Sequence, residues 1–244
     1  MKSSLSDKRV TIISVSVLLA VWELLSLIAG SDRLLPGPLE TLKAAFGILC
    51  DLSFLKVAGA TVLRAIAGFA AAIISGGILG IAGGLNSTVH SFVKPWIILV
   101  RSIPVIALVL LAILWFSSDV VPVFIGILIM LPIVYLNIVE GIRSIDPKIV
   151  QMARFYGIGG RRLIREIYLP GIRPFAVSGM SNAVGMGWRA IVVGEVLSQP
   201  QWGIGTAMHS AQIFLQVDIL MAWTLVAVLF GAIFDKILNY GYHS

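Results

Sequence analysis

Residues Val120–Val139, VVPVFIGILIMLPIVYLNIV, decide the fold: they run twenty positions without a Lys, Arg, Asp or Glu. An α-helix rises 1.5 Å per residue, so about 20 apolar residues cross a hydrocarbon layer of about 30 Å. A helix also satisfies its own backbone N–H and C=O groups, which a bilayer interior requires. Working outward, comparable stretches occur at Val10–Gly30, Val57–Gly84, Pro95–Phe116, Phe175–Leu197 and Val217–Leu238. The prediction is an all-α polytopic membrane protein of about six transmembrane helices, one domain over residues 1–244. Val10–Gly30 is longer than the ~7–15-residue core of a signal peptide and reads as a retained span. Between the first two spans, Leu39, Leu42, Phe46 and Leu49 recur at helical spacing, which fits a surface-lying amphipathic helix.

Composition agrees. The chain is 58% hydrophobic and 12% charged, with a mean hydropathy of +0.99. Soluble proteins hold roughly 45–50% apolar and about 25% charged residues. A soluble domain of 244 residues has too large a shell to be covered by so few polar side chains. The single Cys50 excludes a disulfide framework or a cysteine-based metal centre, and His90, His209 and His243 are scattered. The net charge of +6 would point to nucleic acid in a soluble protein. Here basic residues instead flank spans and set topology. Lys2, Lys8, Arg9, Lys94, the seven bases of Glu140–Arg173 and Lys236 share one side of a six-span chain, twelve in all. Arg33, Lys43 and Lys56 face the other side. The positive-inside rule puts both termini and the 140–173 loop in the cytoplasm.

That loop is far longer than a helix–helix connection needs. Asp146-Pro147 is a helix start, since Asp caps free N–H groups and Pro fits the first turn. Ile149, Met152, Ala153 and Tyr156 then fall on one helical face, with Lys148, Gln151 and Arg154 pointing elsewhere. Gly157-Ile158-Gly159-Gly160 ends this helix. A second short helix runs from Arg161 toward Tyr168 and is expected to stop at Leu169-Pro170, with Pro174 marking entry to the next span. Two readings fit on physics alone: a basic helix pair against anionic lipid, or a docking knob for a cytoplasmic partner.

Ala153-x-x-x-Gly157, nine residues, then Ile167-x-Leu169-Pro170 resembles the signature loop of ATP-binding-cassette importer permeases. Gln151 and Met152 stand where that family has Glu and Ala. Arg64-x-x-x-Gly68-Phe69, Arg101-Ser102-Ile103-Pro104, Trp115-Phe116, Glu195 and Gly203-Ile204-Gly205 resemble the nitrate, sulfonate, taurine and bicarbonate branch, with Ser117 in place of its usual Gly. The resemblance implies that Asp146–Tyr156 is a coupling helix seated in a separate ATPase. Gly157 would be its hinge, and Ile167, Leu169 and Pro170 would anchor the second helix. It also implies two permease copies, expected to be a homodimer, two ATPase subunits and an extracytoplasmic binding protein. The chain has no Gly-x-x-x-x-Gly-Lys-Ser/Thr loop, so ATP and magnesium are expected on the ATPase and the chain itself is not an enzyme.

Polar groups inside the spans complete the reading. Arg64 and Arg101 lie near span ends and are assigned structural or topological roles. Asn182, Trp188, Arg189 and Glu195 are candidate pathway residues. Glu195 follows Arg189 by six positions and does not share its helical face, so an intrahelical bridge is not expected. Glu195 remains a candidate gate or binding-protein contact. Gly76-Gly77 and Gly80 are expected in helix packing, and Pro104 and Pro132 at bends. The competing class is an ion-gradient-driven secondary transporter or channel, which needs membrane-embedded acidic groups. Only Glu23 and Glu195 qualify.

Overall fold

The computed structural model describes residues 5–30 and 34–243, with side chains for 9–30 and 34–237. Lys2 and Arg33, two of the bases counted for topology, lie outside the described residues, and Lys8 is described in backbone only. All regular structure among the described residues is helical: α1 (Leu5–Ala29), α2 (Pro38–Cys50), α3 (Phe54–Leu85), α4 (Ser87–Ser102), α5 (Val105–Trp115), α6 (Val120–Arg143), α7 (Pro147–Phe155), α8 (Gly160–Leu163), α9 (Leu169–Ser198), α10 (Ile204–Ile213) and α11 (Val217–His243).

Helix α6, the deciding stretch, is the axis of the bundle. It packs most extensively against α3 on one side and α9 on the other. Tyr135, Ile125 and Met130 on α6 are fully buried. The approach is close because the neighbours offer glycine. A Cβ at Gly76 would lie 3.0 Å from the Leu131 carbonyl, and one at Gly80 2.9 Å from Ile138 Cβ. A Cβ at Gly179 would lie 2.6 Å from Asn137 Cβ, and one at Gly187 would collide with the Met130 sulfur. In lipid there is no hydrophobic drive between helices, so this contact is much of what holds them together. Gly77, one position from Gly76, meets nothing nearer than Ile138 Cδ1 at 3.9 Å, so the seam runs through Gly76 and Gly80.

Among the described residues, four helices are long and apolar enough to span a membrane: Arg9–Ala29 within α1, Phe54–Leu85, Val120–Arg143 and Val217–Ile237. The α4–α5 pair makes a fifth when taken together. By this measure of length and apolarity the described residues supply four or five of the expected six. The expected fifth span lies inside α9, whose 30 residues are ample in length but include Ser178, Ser181, Asn182 and Arg189. Packed against α6, α9 does not need the apolar coat of a lipid-facing helix. α1 is the opposite case: only 6% of its apolar window is buried, and it is tied to the rest by Trp22 Nε1 donating to the Pro36 carbonyl (3.1 Å) and Ser26 Oγ to the Leu35 carbonyl (2.8 Å).

Further expectations are refined. Pro95–Phe116 is not one straight helix: α4 and α5 meet at 100°, because Pro104 disfavours helical geometry at Ile103, whose ψ is 129°. Pro132, by contrast, stays inside an unbroken α6. The second loop helix does not stop at Leu169-Pro170. α8 passes through a five-residue π turn (Ile164–Tyr168) directly into α9, and Leu169 N–H donates to the Ile164 carbonyl. The wider turn accommodates Pro170, which has no N–H to give. Pro174 accordingly lies within α9 rather than at its start. The stretch between α9 and α11 contains α10, held by the buried Ile204, Gly205 and Ala211. The amphipathic α2 is present, but Leu39, Leu42, Phe46 and Leu49 all face away from the protein while Thr41 is buried.

Candidate functional site

The 140–173 loop forms an elbow. Asp146 accepts a hydrogen bond from Lys148 N–H at 2.8 Å and caps α7. At the other end Ile158 N–H donates to the Ala153 carbonyl (2.9 Å) and Gly157 N–H to the Arg154 carbonyl (3.0 Å). This pairing is a Schellman cap, and it requires left-handed geometry at Gly157, where φ is +77°. Ala153 is buried against the chain, whereas Ile149, Gln151, Met152, Arg154 and Tyr156 are exposed. The expected apolar face is therefore split. Ala153 seats the helix, and Met152, Phe155 (88% exposed) and Tyr156 (75% exposed) project outward. Phe155 and Tyr156 meet edge to face at 5.9 Å, so the two rings form one protrusion. Beyond the glycines, Leu163 is buried and Ile167 half-buried, while Leu169 and Pro170 are exposed at the start of α9.

Along α9 the candidate pathway residues separate. Asn182 and Arg189 are exposed and line a groove of about 660 Å³ between α9 and α11, with Ser181, Thr224 and Asp235. Trp188 forms its wall: it is buried, its Nε1 donates to the Ala227 carbonyl at 2.9 Å, and Phe230 and Phe234 pack on its ring. Ser181 Oγ donates to Asp235 at 2.8 Å.

Glu195 lies away from this groove, with no exposure at all. Its carboxylate accepts from Arg64 (2.6 Å), from the Thr61 hydroxyl (2.9 Å) and from Gly205 N–H (3.0 Å). Arg64 also donates to the Trp202 carbonyl (2.7 Å) and pairs with the exposed Asp119. Thr61 accepts from Ile204 N–H at 2.8 Å. The first N–H groups of α10, which have no intrahelical acceptor, are thus satisfied by side chains of α3 and α9. Reasoning along single helices missed this cluster. The available signal was that Arg64 and Glu195 are opposite charges near the same end of two different spans.

The described helices form a glycine-seamed bundle with a capped elbow, several of them long and apolar enough to span a membrane. A family model described as the inner membrane component of binding-protein-dependent transport systems matches residues 68–241. The chain belongs to this family, the permeases of ABC transporters. It is similar to a putative aliphatic sulfonates transport permease of Escherichia coli (strain K12), 33% identical over 220 residues, 89% of this chain and 83% of the relative. It is also similar to the taurine transport system permease of the same strain, 26% identical over 232 residues, covering 91% and 83%. A formylaminopyrimidine transport permease of Halalkalibacterium halodurans is 25% identical over 203 residues, covering 83% and 80%.

Proposed function

We propose that residues 1–244 form one permease domain of an importer that moves a small organic nutrient inward by alternating access. Its driver is a separate ATPase, which carries the ATP and magnesium and docks on the 140–173 loop. The nutrient is a sulfonate- or nitrate-like anion, or a vitamin or its precursor; relatives are named for aliphatic sulfonates, taurine and formylaminopyrimidine. Two permease copies, two ATPase subunits and an extracytoplasmic binding protein make up the assembly, and the loop and both termini face the cytoplasm. One observation carries this reading: a nine-residue helix, capped at both ends, holds Met152, Phe155 and Tyr156 out from the chain. Aromatic side chains fixed on a rigid element are good anchors for a partner's pocket.

Displacement of the elbow would rotate α7 about Gly157–Gly160 and shift α9 with it. Each ATPase state would then favour one state of the permease, and the coupling would be reciprocal. The test is purification of the full assembly with Tyr156→Asp and Gly157→Pro variants. Wild type retains an ATPase bearing a phosphate loop, and nucleotide hydrolysis drives uptake. Both variants lose transport, because Asp is repelled from an apolar pocket and Pro cannot adopt positive φ. Full uptake by both variants would refute the reading, as would uptake by the permease alone.

A further inference from the structure

We propose that the groove between α9 and α11 is an anion-selective stretch of the transport pathway, and that Arg189 provides the selectivity. This rests on the transport reading above but not on the ATPase docking site.

The argument starts from depth. A 30-residue helix is about 45 Å long, some 15 Å more than the hydrocarbon layer. Arg189 lies nine residues, about 13 Å, from the Ser198 end, within the layer when α9 is centred. A guanidinium facing lipid within the layer is costly, so it belongs against protein or water. Yet among the described residues Arg189 has no hydrogen-bond or ion-pair partner, whereas Arg64 in α3 has three. An exposed, unpaired base in a groove of about 660 Å³ is a charge waiting for water and a ligand. The volume is that of a small-molecule site.

The rest of the lining narrows the ligand. Asn182 and Thr224 add uncharged polar groups, and Met186 and Val228 add apolar surface for a short carbon body. The other charge lining the groove is Asp235, which accepts from Ser181, eight residues or about 12 Å down α9 from Arg189. An anionic head group therefore sits at the Arg189 end and is repelled from the Asp235 end. Arg offers a planar fork of donors that matches a sulfonate or carboxylate. The ligand class is a compact organic anion with a short apolar tail.

The test needs no knowledge of the natural solute. In a Cys50→Ser background, Asn182→Cys and, separately, Met186→Cys are introduced into the full chain in membrane vesicles holding its partners. Each is reacted with a sulfonated, anionic methanethiosulfonate and with its trimethylammonium counterpart, and every rate is normalised to that with a free thiol in solution. We expect both positions to react, with the anionic reagent favoured by at least about tenfold, as local charge focusing allows. Arg189→Gln should abolish that preference and Arg189→Lys should retain most of it. Having two reporter positions guards against one variant failing to fold. Silence at both positions, an unchanged preference in Arg189→Gln, or a preference for the cationic reagent would each overturn the proposal. Loss of the ATPase from the wild-type assembly with the anion preference intact would sink the docking reading alone.

Discussion

Arg64 and Glu195 show how much one buried carboxylate can organise. Glu195 is fully enclosed, and its acceptors hold α3, α9 and the start of α10 in one place. Removing one partner of such a pair leaves a stranded charge, at a cost of about 3–5 kcal/mol. Arg64→Ala is therefore expected to lower stability by that amount in thermal unfolding of the detergent-solubilised protein. Asp119 also pairs with Arg64 but is 68% exposed, so Asp119→Ala should cost under about 1 kcal/mol in the same assay. Equal losses from the two variants would contradict this account. The cluster was not legible in the sequence, because Arg64 and Glu195 are 131 positions apart and two of the donors are backbone N–H groups of Ile204 and Gly205. Gly157 was legible for the converse reason: its positive φ is a local demand, written in the residues beside it.

Among the elements, the α3–α6 seam makes a sharp prediction. Gly80→Ala would set a methyl group 2.9 Å from Ile138 Cβ and 3.2 Å from the Tyr135 carbonyl, and neither can retreat easily. Overpacking of this kind costs about 1–3 kcal/mol. Gly77→Ala meets only Ile138 Cδ1 at 3.9 Å and should be neutral or slightly stabilising, since alanine favours the helix. Melting temperatures of the two variants settle the matter; equal behaviour would mean that the helices are not held by close approach. Small residues in Val57–Gly84 announced a packing helix, but only the structure separates Gly80 from Gly77. The α4–α5 corner was half legible. Pro104 marked it, yet hydropathy averaged over Pro95–Phe116 runs straight across a 100° turn. Helix α10 was illegible because its residues, IGTAMHSAQI, carry no strong apolar period.

For the whole molecule, the proposed orientation can be read with the chain's single cysteine. Cys50 is exposed at the end of α2, opposite the elbow in the predicted topology. A membrane-impermeant maleimide added to intact cells should label Cys50, and should not label Gln151→Cys in a Cys50→Ser background. The reverse pattern would invert the topology and remove the elbow from any cytoplasmic motor. Hydropathy made the membrane class plain, since lipid contact acts on nearly every side chain of helices such as α1. It under-reports α9, whose neighbours are protein. That helix also has a mechanical consequence. From Gly160 to Ser198 the chain stays helical, passing through the π turn at Ile164–Tyr168, for a length of about 58 Å. Past the Gly157–Gly160 hinge, a displacement passed to this helix meets no further non-helical residue until Gln199, whose left-handed φ of 48° ends it. Arg189 and Glu195 ride on that same helix, so under the proposed docking a shift of its Gly160 end would carry both with it.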